Sequence, residues 1–216
     1  MRRVRRGVYA VVPASAVMHE HVVMDPWSLV PTIFRQAYVG GWSAAGHWDL
    51  TEQVFSTLLI CTTDALKRTT LKVAGSTLRA RHIPTTLWFG TTATWHEGAR
   101  VLVSDVHKTI VDMFIDPALG GGIQHVTLCF QAYLQRADAN VGRLLSYATK
   151  AGSIPGFKRM GFVCEAINGP AELRDGCQRT VTLGLAKLDP SIESPRVSKR
   201  WQLRLPRAWE KLIRDG

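Results

Sequence analysis

Short apolar runs, some alternating with polar residues and some continuous, mark the first half of the chain and its C-terminal end as β-rich. Gly75-Ser76 separates two of these runs and predicts the turn of a hairpin. A strand that starts after Gly7 and ends before Pro13 has no evident partner, so we expect it to pair elsewhere or to remain an exposed arm. The predicted strands are 8–12, 55–63, 70–74, 77–83, 100–103, 180–188 and 201–205.

Apolar residues recur at helical spacing between these β-rich parts. Asp25-Pro26 predicts a helix start, with Asp25 as the N-cap and Pro26 as the first helical residue, and Pro31 should kink or restart that helix. Further predicted helical segments are 42–48, 104–116, 123–133, 140–151 and 157–167. Strands and helices grouped in this way predict an α+β fold, with a mixed or antiparallel sheet packed with several helices in a single compact domain.

The charge of the chain is concentrated at its two ends. The 216 residues are 46% hydrophobic, enough for a buried core, and they carry 27 Lys and Arg against 17 Asp and Glu, a formal net charge of +10. Residues 1–9 contain four arginines and no acid, and residues 196–216 contain seven bases and two acids. The 186 residues between them hold 16 bases and 15 acids. This balance favours polyanionic partners such as nucleic acid at the ends of the chain.

We therefore expect nucleic-acid contacts from both ends. The predicted contact residues are Arg2, Arg3, Arg5, Arg6, Arg200 and Arg204. The N-terminal arginines suit phosphates or a minor groove, and the alternative is a basic tail with only weak, unspecific affinity. Trp201 and Trp209 lie among the C-terminal bases and offer indole faces for stacking with arginine. The alternation of Trp201 with Leu203 and Leu205 favours a core position for that residue instead.

A second basic surface is predicted within residues 67–108, which carry seven bases and two acids. Lys72 lies on one arm of the predicted hairpin, and Arg79 and Arg81 lie on the other. Arg79 and Arg81 share one face because side chains alternate along a strand. This predicts a basic sheet face, which is either a binding surface or an ordinary solvated outer face.

Sequence patterns of catalysis are weak. The chain has no G-x-S-x-G, P-loop or H-E-x-x-H pattern, and the glycines at 120–122 do not follow a predicted strand as a dinucleotide loop does. His19-Glu20-His21 resembles a ligand cluster but lacks a third ligand nearby. We therefore expect a protein that is not an enzyme and that needs no metal ion or cofactor.

Three aspartates leave a nuclease open as an alternative. Asp105, Asp112 and Asp116 belong to one predicted helix, and carboxylates can hold the two cations of a phosphoryl-transfer site. Asp105 and Asp112 are seven residues apart and share a face. Capping explains two of the three, because Asp105 lies in the first turn of a helix that Ser104 is predicted to cap, and Asp116 precedes a proline.

The cysteines and the apolar runs bear on the compartment. Cys61, Cys129, Cys164 and Cys177 are widely spaced without a C-x-x-C pair, which predicts buried or half-buried thiols rather than a disulfide framework or a zinc site. No apolar run approaches the roughly 20 residues of a membrane span. The run 8–12 is too short for the apolar core of a secretory signal. We expect a cytoplasmic protein without a membrane partner.

Several segments, taken in chain order, resemble the AbiEi-type antitoxins of bacterial abortive-infection systems. Residues 6–13 resemble the last strand of a winged-helix wing and the start of the domain that follows it. The other matching segments are Asp25-Pro26-Trp27, 50–55 (LTEQVF), Val103-Ser104-Asp105 with Thr109 and Asp112, 120–123 (GGGI), 157–162 (FKRMGF), and Leu188-Asp189-Pro190 with Arg200-Trp201. The resemblance covers nearly the whole chain and rests on the order and spacing of the segments.

The resemblance implies a cytoplasmic bacterial antitoxin that counteracts a nucleotidyltransferase-type toxin encoded next to it. It also implies a transcriptional regulator that represses its own operon through an N-terminal winged helix, with promoter DNA as a second partner. The chain then divides into a basic arm at 1–13, the remnant of a wing, and an antitoxin domain at 14–216. The helices that would precede Arg2 are missing, so we expect either an upstream gene start or a truncated member. Antitoxin is the predicted function, a DNA-binding regulator is the alternative, and a metal-dependent nuclease is a third possibility.

Overall fold

The computed structural model describes residues 25–211 with their side chains, and the backbone of residues 2–5, 8–10 and 212–214. The strands are β1 Arg2–Arg5, β2 Val8–Ala10, β3 Ala37–Val39, β4 Thr57–Thr62, β5 Thr70–Val73, β6 Ser76–His82, β7 Thr91–His96, β8 Ala99–Ser104, β9 Ala186–Lys187, β10 Arg196–Ser198 and β11 Leu203–Leu205. The helices are α1 Val30–Ile33, α2 Gly41–His47, α3 Val106–Ile115, α4 Ile123–Leu134, α5 Val141–Ala151, α6 Ile154–Ala166, α7 Ala171–Gln178 and α8 Trp209–Arg214.

A six-stranded mixed sheet is the scaffold, with the strand order β5-β6-β4-β3-β8-β7. The pairs β4/β6 and β3/β8 are parallel, and the other neighbours are antiparallel. The predicted hairpin is β5/β6, in which Lys72 lies opposite Thr77 and Thr70 lies opposite Arg79. Lys72, Arg79 and Arg81 therefore share one face of the sheet, as the alternation of side chains predicts.

Side chains of the central strands alternate between two cores. On one face, Leu58 and Ile60 of β4 pack with Leu29 and Val30 around α1. On the other face, Tyr38 of β3 is fully buried, and its hydroxyl donates a hydrogen bond to a carboxylate on α3. Helix α3 is buried at nine of its ten positions because it lies between this face and the remaining helices.

The larger core joins α3 to α4, α5, α6 and α7, and the helix ends are capped by side chains. Asp105, Asn140 and Ser153 occupy the N-cap positions of α3, α5 and α6. Each accepts a hydrogen bond from the backbone N–H three residues on, at 2.8, 2.8 and 3.2 Å. Gly152 ends α5 with φ of 67°, a left-handed conformation that favours glycine. These local signals explain why α3 and α5 begin within two residues of their predicted starts.

The C-terminal part forms a three-stranded sheet, β10-β11-β9, whose inner face is apolar. Leu203 and Leu205 of β11 are buried, and Trp201, just before that strand, is 1% exposed. The predicted core position of Trp201 is confirmed. Its ring lies directly over Gly161 of α6, where an added Cβ would come within 2.2 Å of the indole. The small sheet is therefore fastened to the helical core at a glycine.

Several predicted boundaries are wrong, and α6, for example, begins at Ile154 instead of residue 157. Asp25 caps a turn instead of a helix, accepting a hydrogen bond from the Trp27 N–H at 3.0 Å, and α1 begins only at Val30. Pro31 lies in the first turn of α1, where its missing N–H costs nothing, so of the two outcomes it restarts the helix. Ser104 ends β8, and Asp105 itself is the N-cap of α3. The predicted strand 180–188 is reduced to β9, because within the described part of the chain only Ala186 and Lys187 of that segment pair with another strand, β11.

The described residues confirm the predicted fold class: one compact α+β domain with a six-stranded mixed sheet, a small three-stranded sheet and packed helices. Strands β1, β3, β7 and β10 and helices α7 and α8 are additions that the apolar pattern did not predict. Among residues 25–214, no helix combines the length and the apolar character that crossing a bilayer requires.

Candidate nucleic-acid interface

The N-terminal arginines lie on a two-stranded hairpin. Strand β1 pairs antiparallel with β2, with Arg3 opposite Tyr9 and Arg5 opposite Val8, and the register shifts between the two pairs. The expectation that the second strand lacks a partner is therefore wrong. The arginine segment forms the partner strand of β2, because a chain that reverses direction over two residues can pair with itself as a hairpin. Arg2 shares this strand, whereas Arg6 and the predicted cluster at 19–21 lie outside the described residues.

Arg200, a predicted contact residue, is engaged by the protein itself. Its guanidinium makes an ion pair with Glu165 of α6 at 3.0 Å and donates to the Gln178 side chain of α7 at 3.2 Å. It also lies over the Trp201 ring, 5.7 Å from the centroid. Arg200 therefore joins two helices to the turn before β11, and its charge is paired with that of Glu165.

Arg204 is placed differently. It lies on β11, the middle strand of the small sheet, between Val197 of β10 and Lys187 of β9. All three side chains are exposed and point from the same open face, because directly paired residues share a face. Arg204 and Lys187 thus present two neighbouring cations to solvent. The structure does not join this pair to Arg200, so the predicted C-terminal contact set divides into one available and one occupied residue.

Arg79 and Arg81 of the predicted basic sheet face line a groove beside β6, which we call the basic groove, and Lys72 lies on the same sheet face beside it. The groove has a volume of about 380 Å³ and is lined by Arg79, Arg81, His82, Asp116 and Leu119, among others. The Arg81 guanidinium contacts the Asp116 carboxylate at 2.7 Å, and Arg79 lies over the Trp42 ring, 5.7 Å from its centroid. Both arginine side chains remain exposed. Each of them therefore makes one contact within the protein and presents the rest of its side chain to solvent.

The three aspartates of the nuclease alternative each have separate partners. Asp105 caps α3 and accepts from the Tyr147 hydroxyl at 2.8 Å. Asp116 caps the 3-10 turn Pro117–Gly120 in addition to its ion pair with Arg81. Asp112 is buried in a pair with Lys108. Within residues 25–211, no three His, Cys, Asp or Glu side chains are grouped closely enough to hold a metal ion.

Lys108 and Asp112 form a buried ion pair that the sequence analysis did not single out. Lys108 has no exposed surface and donates to Asp112 and, at 3.4 Å, to the Tyr38 hydroxyl. Its ammonium lies 4.8 Å from the centroid of Phe89. Burial raises the pKa of Asp112, while the charge and hydrogen bond of Lys108 and the Tyr38 hydroxyl act in the opposite direction. The signal available in the sequence was the i,i+4 spacing of opposite charges on one helix.

The four cysteines are buried free thiols, as predicted. Burial raises the pKa of Cys61, Cys129 and Cys177 to about 12 and that of Cys164 to about 11. None of them is therefore a reactive thiolate at neutral pH. The thiols pack as small apolar groups on the sheet and the helices.

Comparison with models of protein families gives no match, and comparison with curated proteins gives none either. Among solved structures, the fold is similar to the crystal structure of the Rv2827c protein from Mycobacterium tuberculosis, with a TM-score of 0.55 and 18% sequence identity. The similarity covers 83% of this chain and 65% of that protein, so this chain spans just under two thirds of its length. At this identity, the likeness concerns the fold alone.

Proposed function

We propose that this chain is the antitoxin of a bacterial abortive-infection system, acting in the cytoplasm against a nucleotidyltransferase-type toxin and catalysing no reaction of its own. The proposal combines the resemblance to AbiEi-type antitoxins with one structural observation. Segments that carry the resemblance, although far apart in the sequence, contact one another directly in the fold.

The first contact joins the glycine segment 120–123 to the segment Leu188-Asp189-Pro190. The Asp189 carboxylate accepts a hydrogen bond from the backbone N–H of Ile123 at 2.8 Å, across 66 positions. Asp189 is buried, and its other oxygen accepts from Ser191. A buried carboxylate that receives a helix N-terminal N–H stabilises that helix start. This contact supports a specific role for both segments in the same fold.

Two further contacts follow the same pattern. Gly161, in the segment 157–162, packs under Trp201, which belongs to the last matching segment. Phe55, in the segment 50–55, lies 3.5 Å from the position that a Cβ would take on Gly121. Resemblance at residues that contact one another between distant segments supports a shared domain architecture more strongly than resemblance at exposed positions. The reason is that each such residue can be kept only if its contact partner is kept as well.

The decisive experiment is growth rescue. The full chain is expressed together with the toxin encoded beside it, and colony formation is compared with that of cells carrying the toxin alone. The proposal expects growth to be restored. A variant with Arg2, Arg3 and Arg5 replaced by alanine should restore growth equally well, because antitoxicity is assigned to the domain and not to the arm. Persistent toxicity despite soluble expression of the wild-type chain contradicts the proposal.

The hairpin β1/β2 favours a second candidate function, a DNA-binding regulator of the same operon. A two-stranded β-ribbon is narrow enough to enter the major groove of B-DNA, and this one carries three arginines on one strand. A gel shift on the operon promoter should then survive excess competitor DNA and should weaken in the triple arginine variant. Retardation that competitor DNA abolishes would identify only unspecific phosphate binding.

A further inference from the structure

A second cleft, lined by aromatic side chains, lies next to the basic groove, and we call it the aromatic cleft. It has a volume of about 370 Å³, and Trp27, Trp42, His47 and Phe55 are among the residues that line it. Trp42 and Phe55 stack at 5.2 Å with an angle of 18° between their planes. Trp27 stacks on His96 at 4.5 Å, with an angle of 13° between the planes. Trp27 and Phe55 are half-buried, and both line the cleft.

One residue contact joins the two clefts. Arg79 lines the basic groove, and its guanidinium lies over the ring of Trp42, which lines the aromatic cleft. Trp42 also packs with Leu59 and Leu119 in a small apolar cluster, so the Trp42 ring that Arg79 contacts is supported by the protein core. A ligand that leaves the aromatic cleft along β6 therefore meets Arg79 first and Arg81 next.

The cations along this path are regularly spaced. Arg79 and Arg81 are two residues apart on one strand, about 7 Å at the usual rise per residue, and Lys72 is the diagonal neighbour of Arg79 on β5. This spacing is comparable with that of successive phosphates in an extended nucleic-acid strand. Lys67 and Arg68, just before β5, are also exposed. Three acids lie near this path: Asp116, which is paired with Arg81, Asp64, whose backbone oxygen contacts His82, and Glu52, which lines the aromatic cleft. Asp25 and Glu97 lie at the Trp27 end of the cleft, where the Asp25 carboxylate contacts His96 at 2.6 Å and Glu97 accepts a hydrogen bond from Ser28.

We propose that the basic groove and the aromatic cleft together bind single-stranded nucleic acid. The exposed cations contact the phosphates, and the aromatic rings of the cleft stack with one or two unpaired bases. Proteins that bind single strands combine these two features, a cationic groove along the backbone and aromatic platforms for the bases. A duplex keeps its bases stacked on each other, so it can use the cations but not the rings.

Fluorescence anisotropy with labelled oligonucleotides of about 12 nucleotides tests the proposal on the full chain. The probes are oligothymidine, oligouridine and a duplex of the same length, each at about 50 and 200 mM salt. Lys72→Ala/Arg79→Ala should weaken single-strand binding about tenfold and reduce the slope of log affinity against log salt by about 1.4. The matched control, Arg143→Ala/Lys150→Ala, removes the same charge from exposed positions of α5 and should change little. Equal losses in the two double variants would overturn the groove as a site.

Phe55 tests the aromatic cleft. Phe55→Leu keeps an apolar side chain of similar size and should weaken binding of both single strands about fivefold or more, while duplex affinity stays unchanged. Phe55→Tyr keeps the ring and should retain wild-type affinity. The proposal is refuted if Phe55→Leu binds single strands with wild-type affinity. It is also refuted if the wild-type chain binds neither single-stranded probe, and an acidic protein then becomes the better candidate for this surface. If both single-stranded probes bind, the one that binds more tightly indicates whether DNA or RNA is preferred. Growth rescue is scored in a separate assay, so that single-strand binding and antitoxin function can fail independently.

Discussion

The buried pair of Lys108 and Asp112 allows a quantitative prediction about stability. Asp112→Asn changes the shape of the side chain very little and keeps an acceptor for the Tyr38 hydroxyl, but it leaves the ammonium of Lys108 without its counterion. Both side chains are almost fully buried, at 0% and 4% exposure, so water cannot replace the lost charge. Removing one partner of such a pair costs about 3–5 kcal/mol, a large part of the roughly 5–15 kcal/mol that stabilises a typical domain.

Urea unfolding followed by circular dichroism measures this cost, and the midpoint of thermal unfolding should fall by roughly 6–20 °C. Asp175→Asn is the matched control, because Asp175 pairs with Arg174 at the surface and its side chain is 55% exposed. Such surface pairs contribute about 0–1 kcal/mol. In the double variant Lys108→Met/Asp112→Asn, the uncompensated charge is gone, so the protein should be more stable than Asp112→Asn alone. If Asp112→Asn and Asp175→Asn had the same effect, the ion pair would not have the role assigned to it.

Three further predictions follow from the packing and from the pKa directions. Gly161→Ala should lower the free energy of unfolding by about 1–3 kcal/mol, because the new Cβ would lie 2.2 Å from the Trp201 ring. Gly142→Ala, in an open helical position, should raise it by about 0.4–1 kcal/mol. Thermal unfolding measures both, and a Gly161→Ala variant as stable as the wild type contradicts the packing. Burial lowers the pKa of His107 and His47, so the unfolded chain binds more protons than the folded protein below about pH 6.5, and the free energy of unfolding should decrease as the pH falls through that range. His107→Gln should make the free energy of unfolding, measured with urea, less dependent on pH. An unchanged pH dependence in this variant would show that His107 is not its cause. All four thiols should resist a disulfide reagent in the native protein and react in urea, and one rapidly reacting native thiol would contradict their burial.

The sequence was sufficient wherever local physics decides the structure. Helices α3 to α6 follow from apolar residues at helical spacing, and polar caps such as Asn140 mark where two of them begin. Strand β4 is an apolar, β-branched run, and the β5/β6 hairpin follows from a turn between two strand-like runs. The uneven distribution of charge is likewise a property of the sequence alone.

The sequence was not sufficient where a residue depends on distant partners. Strand β3 has only three residues, too few for a periodic signal, yet it is central because β4 and β8 pair with it on either side. The arginine segment forms a strand because β2 returns to pair with it. Arg200 is a predicted contact residue whose charge is engaged by Glu165, which lies 35 positions earlier in the chain.

The same distinction applies to the basic groove. Alternation along β6 places Arg79 and Arg81 on one face, and the sequence is enough to predict this. The tertiary structure brings Trp42 under Arg79 and Asp116 beside Arg81, and it opens the aromatic cleft next to them. Charge is a local property of each residue, whereas a binding surface needs charges and rings from segments that only packing brings together. The sequence therefore determined where the cations lie along the chain, and the tertiary structure decided which of them share a surface.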